Sequence, residues 1–180
     1  MNVFVLNTGR CGSTTFIAAC SHATNFTSGH ETRVQMLGAD RLAYPPNHIE
    51  ADNRLSWLLG RLEAVYGDDA YYVHLTRDRV QVAASFARRA DFGIMKAYRE
   101  GILLHEETQQ SDAGALANDY IDTVEANIAL FLKNKSHKME FRLEQAQGDF
   151  TRFWSWIGAE GDLDAALAEW AVRHNASTGM

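Results

Sequence analysis

The chain has 180 residues, long enough for one domain with a substantial core, and its 46% hydrophobic and 22% charged content is that of an ordinary soluble globular protein. A formal net charge of -6 excludes a general basic field for nucleic acid, so any anion site has to be built locally from a few cations and backbone N–H groups. The two cysteines, Cys11 and Cys20, fit neither metal-site spacing nor a disulfide scaffold, and no run approaches the roughly 18 apolar residues of a membrane span.

These features predict reduced thiols, a cytoplasmic location, and no membrane or nucleic-acid partner. Oligomeric state is open.

In chain order, residues 2–7 predict a fully buried strand, a short apolar run closed by a turn. Helical spacing of Phe16, Ala19/Cys20 and Ala23 then begins near Thr14, making a P-loop-like strand–loop–helix unit. A second short strand is expected near 25–28, and HETRVQMLGADRL reads as a loop and a short helix. RLAYPPNHIEADN, which holds the only prolines, Pro45 and Pro46, reads as a long shaped loop. Leu55, Leu58/Leu59 and Leu62 share one face of a helix from Asn53 to about Tyr66.

Residues 70–76, AYYVHLT, form the clearest second buried strand, and Asp78 is placed to cap a helix over 79–89. Helices are predicted over 92–104 and 113–132, a strand over KMEFRL at 138–143, and two last helices over 150–157 and 163–174. Strands alternating with helices predict an α/β fold in three layers, a mostly parallel sheet flanked by helices, as a single domain over residues 1–180. Ligands of such folds sit beyond the carboxyl ends of the strands.

The first candidate site is the turn NTGRCGSTTF at 7–16. A helix start presents N–H groups without intrahelical partners and the positive end of the macrodipole. Gly9 and Gly12 allow the bend, Arg10 brings charge, and Ser13, Thr14 and Thr15 add donors, so the turn suits a phosphate-like anion. The ATP-type pattern G-x-x-x-x-G-K-S/T is absent.

The second is HLTRDRVQVAASFARR at 74–89, with Arg77 at the end of a strand and Ser85 eight residues later in the next helix. Gln81, Ser85 and Arg88/Arg89 fall on one stripe of that helix, with Val80, Ala83 and Ala87 expected to face the core. An arginine at a strand end and a helical serine can clamp a second phosphate.

Together the two elements resemble the family of sulfotransferases that use PAPS (3′-phosphoadenosine 5′-phosphosulfate). TGRCGSTTF is similar to that family's 5′-phosphosulfate loop, and RDRVQVAAS to its 3′-phosphate motif. The resemblance is carried by about residues 2–90. It implies that Arg10, Cys11, Gly12, Ser13, Thr14 and Thr15 contact the 5′-phosphosulfate, and that Arg77 and Ser85 bind the 3′-phosphate. Arg10 stands where many members carry lysine; a guanidinium is a clamp and not a proton donor. Some members fold a basic C-terminal segment over the nucleotide, which makes Arg173 a weak candidate contact. The Gly/Lys signature many members carry near the C-terminus is absent.

Sulfuryl transfer rests on alignment and fixed positive charge, and a hydroxyl acceptor needs a base. The candidates are Glu31, then His48, then His30, with Glu31 in roughly the place where sugar-sulfating relatives carry a glutamate. No metal is expected. His74 reads as a satisfied core histidine, and the four tryptophans, Trp57, Trp154, Trp156 and Trp170, as core. The acceptor is expected to be a small molecule or carbohydrate, bounded by loops 29–53 and 91–112, with Tyr44, Phe92 and Tyr98 as aromatic candidates and 105–112 as a lid. Two other functions fit an α/β nucleotide site: an ATP-dependent small-molecule kinase, which would require magnesium, and a non-catalytic nucleotide-binding protein.

Overall fold

The computed structural model describes residues 1–105 and 112–172. Its strands are β1 (Val3–Leu6), β2 (Thr27–His30), β3 (His48–Ala51), β4 (Tyr71–Thr76) and β5 (Lys138–Arg142). They form one sheet in the order β2-β3-β1-β4-β5, and every neighbouring pair is parallel. Parallel neighbours need crossovers, which helices supply. The helix α1 (Ser13–Cys20) leads from β1 to β2, and α2 (Leu59–Tyr66) from β3 to β4. Next, α3 (Arg79–Ala87), α4 (Gly93–Ala97) and α5 (Ala113–Leu132) precede β5, while α6 (Ala146–Trp156) and α7 (Leu163–Ala168) follow it. This is the mostly parallel α/β sheet flanked by helices that the sequence predicts.

Strand side chains alternate between faces. Val3, Val5, Ile49, Ala51, Val73, Leu75 and Phe141 stand in register on one face. Phe16 of α1 packs there on Phe141, ring centroids 5.1 Å apart, and on Phe150 and Phe153 of α6. On the other face Phe4 meets Tyr66 of α2 at 4.7 Å, and Tyr72 meets Phe131 of α5 at 5.1 Å.

The long loop expected over RLAYPPNHIEADN contains β3, between β2 and β1. Chemistry disguises this strand. Ile49 and Ala51 are apolar, but His48, Glu50 and, just beyond the strand, Asp52 are buried too. Polar groups in a central strand persist only when partnered. The Glu50 carboxylate accepts from Thr32 N at 2.7 Å and Thr32 Oγ1 at 2.8 Å, and lies 2.9 Å from His48 Nε2. Asp52 accepts from Arg54 N at 2.8 Å and pairs with Arg41.

Other boundaries move for local reasons. Leu58, at φ -119° and ψ 22°, breaks the helix expected from Asn53 into a 3₁₀ turn over Asn53–Trp57 and α2. The 92–104 segment divides into α4 and a π turn at Tyr98–Ile102. The expected second strand lies two residues later, and α6 begins at Ala146. The last helix becomes α7 plus a 3₁₀ turn at Glu169–Ala171; its expected end at His174 lies outside the described residues. Val80 is 75% exposed and does not face the core. The rotation of α3 is set by Val82, Ala83, Ser85 and Phe86, which turn inward, with Phe86 on Tyr120 of α5 at 5.0 Å. Among the described residues no helix is long and apolar enough to cross a membrane.

Candidate active site

The loop leaving β1 is held from beneath through its carbonyls. Asn7 O accepts from Ser56 Oγ at 3.2 Å, Thr8 O from Tyr120 Oη at 2.9 Å, and Arg10 O from an Arg77 guanidinium N–H at 3.3 Å. Asn7 Oδ1 takes the Gly9 amide at 2.8 Å and starts the turn. Gly9 and Gly12 have φ of 93° and 89°, a region costly for residues bearing a Cβ. A Cβ on Gly12 would also stand 2.8 Å from Leu143 Cδ1. Gly12 caps α1 without a side chain, so the first-turn amides and the hydroxyls of Ser13 and Thr14 border the space above.

That space is a cleft of about 640 Å³ at the carboxyl edge of the sheet, within the range of small-molecule sites. Residues following all five strands line it: Gly9, Arg10 and Gly12–Thr15 after β1, Glu31 after β2, Asn53 and Arg54 after β3, Arg77 after β4, and Leu143 after β5. Gln81, Ser85, Phe86, Arg88 and Arg89 of α3 and its C-terminal end form a wall, continued by Phe92, Ile94 and Met95. Among the described lining residues are five arginines (Arg10, Arg54, Arg77, Arg88 and Arg89) against one carboxylate, Glu31. In a chain of net charge -6 this is a local concentration of positive charge, as an anion site requires.

The two sequence elements meet in this cleft. Ser85 accepts a hydrogen bond from Arg10 Nε at 3.0 Å, and Arg77 also donates to Gln81 Oε1 at 2.5 Å. Burial, then the nearby guanidiniums of Arg89, Arg77 and Arg88, push Arg10 down from the usual arginine range. Opposite them, Ser13 Oγ lies 2.9 Å from His30 Nε2, which joins the start of α1 to the end of β2. Glu31, at φ 54°, pairs with Arg54 at 2.7 Å.

Two candidates, His48 and Cys11, direct their side chains elsewhere. His48 is 6% exposed in β3, bonded to Glu50 and to Thr27 Oγ1 at 2.8 Å, and does not line the cleft. Its position follows from the unexpected strand, which turns a supposed loop residue inward. Cys11 points into the core, its Sγ on Gly9 O at 3.2 Å, so only its backbone can face a ligand. Burial pushes its thiol up to about 11. Arg173 lies outside the described residues, as does most of the expected lid.

Tyr44 and Tyr98 are buried, whereas Phe92 is 55% exposed and lines the cleft. His74 is largely buried, 3.3 Å from Glu140. Trp154 is buried, and Trp57, Trp156 and Trp170 pack partly buried against the core, Trp170 also lining the cleft. Sequence reasoning missed Asn53 and Arg54. Their only signal is their place after a strand that was itself concealed.

No known family model matches the chain, and no curated protein matches it. Among solved structures it is similar to a sulfotransferase domain from the curacin biosynthetic pathway, with a TM-score of 0.66 and 13% identity, over 98% of this chain and 80% of that one. The fold is therefore sulfotransferase-like.

Proposed function

We propose that the protein is a sulfotransferase that moves a sulfuryl group from PAPS to a hydroxyl or amine of a small-molecule or sugar acceptor. One observation carries this reading: the loop after β1 and the Arg77–Ser85 element line a single cleft and touch, through Arg10 Nε on Ser85 and Arg77 on Arg10 O. Two anion-binding elements at adjacent strand ends suit a nucleotide with phosphates on both sides of its ribose. The similarity to a sulfotransferase domain supports the fold that the reading requires.

The donor set fits such a nucleotide. The first-turn amides of α1, with Ser13, Thr14 and Thr15, would hold the 5′-phosphosulfate, and Arg77 and Ser85 the 3′-phosphate. When bound, PAPS supplies a sulfuryl group on a phosphate anhydride. The chain's own groups supply the rest. Amides and guanidiniums fixed in advance stabilise negative charge without reorganising. His30 holds the Ser13 hydroxyl in place. Glu31, whose carboxylate pairs with Arg54, would take the acceptor's proton. Phe92, Ile94 and Met95 offer an apolar wall for the acceptor.

The test is incubation with PAPS and a panel of hydroxylated small molecules and sugars, followed by release of the product nucleotide PAP (3′-phosphoadenosine 5′-phosphate). Acceptor-dependent release without added magnesium is expected. Magnesium-dependent phosphorylation of the same acceptors by ATP would overturn the reading.

A further inference from the structure

The geometry points to Arg10 as a reader of the 3′-phosphate, although its place in the loop suggests a clamp on the 5′-phosphosulfate. This inference rests on the proposed nucleotide site and reassigns one residue within it.

Three observations carry it. First, Arg10 Nε donates to Ser85 Oγ at 3.0 Å, so the guanidinium crosses from the loop to α3. Second, the neighbours there belong to the second element: Arg77 holds Arg10's own carbonyl at 3.3 Å, and Arg88 and Arg89 follow Ser85 on the same stripe. Third, Arg10 is itself left-handed, with φ 62°, directly after left-handed Gly9. An L-residue in this region is disfavoured by about 1–2 kcal/mol and persists only where its surroundings over-determine it. Here both ends of the residue are tied toward Arg77 and Ser85.

A side chain held this way adds a planar, permanently charged donor to the pocket of Arg77 and Ser85. The 5′ end then relies on the α1 amides and hydroxyls, with His30 on Ser13 as its neighbouring side chain. Arg10 thereby becomes a specificity residue that separates nucleotides with a 3′-phosphate from those without one.

The experiment is calorimetric titration of the native chain, Arg10→Ala and Arg10→Gly with PAP, 5′-AMP and adenosine 5′-phosphosulfate. Arg10→Gly removes the side chain while easing the left-handed backbone, so its folding is not in question if Arg10→Ala folds poorly. The native chain is expected to bind PAP more tightly than either 5′-only nucleotide. Both variants should lose about tenfold or more in PAP affinity, the size of a charged hydrogen bond, and stay within about twofold of native for 5′-AMP and adenosine 5′-phosphosulfate. If the variants weaken all three ligands by the same factor, Arg10 serves the 5′ end and the inference fails while the nucleotide site stands. If the native chain does not prefer PAP, the nucleotide reading fails and this inference with it.

Discussion

Glu31 and Arg54 form a 2.7 Å ion pair that bridges the carboxyl ends of two adjacent strands, β2 and β3. Both partners are anchored by buried carboxylates, Glu50 in β3 and Asp52 just beyond it. Glu50 binds Thr32, the residue after Glu31, and Asp52 binds the Arg54 amide. The cleft's single described carboxylate is thus held at both its backbone and its charged end. Glu31→Gln is expected to lower the turnover rate of sulfuryl transfer by roughly 10²-fold or more, the usual worth of a positioned base. PAP affinity, read by calorimetry, should stay within about twofold, because glutamine keeps the shape and the proposed phosphate contacts are elsewhere. Equal turnover in the variant would remove Glu31 from the chemistry.

Gly12 tests the loop. Alanine there combines a φ of 89° with a Cβ 2.8 Å from Leu143 Cδ1. Gly12→Ala should lose about 1–3 kcal/mol in urea unfolding and weaken PAP binding as the turn shifts. Adding Leu143→Ala should recover only part of the loss, because it removes the contact and leaves the backbone strain. Native stability in Gly12→Ala would contradict this description of the loop.

Cys11 provides a pH signature. Burial raises its thiol from 9.0 to about 11 in the folded chain. Between those values the unfolded chain has already released the proton that the folded chain keeps. Stability therefore falls as pH rises through this window, with a slope of up to about 1.4 kcal/mol per pH unit from this group. Other groups titrate in the same window, so the measurement is the difference between native and Cys11→Ala stability at pH 8 and pH 11. The native chain should lose more. The buried thiol should also resist alkylation at pH 8 until the chain unfolds. Rapid alkylation of the folded protein at Cys11 would contradict its placement.

Both strand–loop–helix units could be read from residue order because their signals are local. An apolar run ending in small residues marks β1 and its loop, and one ending in Arg77 and the Asp78 cap marks β4 and α3. β3 could not be read, because His48, Glu50 and Asp52 resemble a solvated loop until Thr32, Arg41 and Thr27 are brought to them from distant positions. Asn53 and Arg54 were concealed with it. The direction of Arg10 is equally a tertiary property, set by Ser85, which lies 75 residues away.

The most direct measurement is the binding of PAP against ADP by calorimetry, with the native chain and with Arg77→Ala. Two phosphate pockets flanking one ribose require PAP to bind about tenfold or more tightly than ADP, and Arg77→Ala to reduce that preference several-fold. Equal or tighter binding of ADP by the native chain would contradict the sulfuryl-donor site.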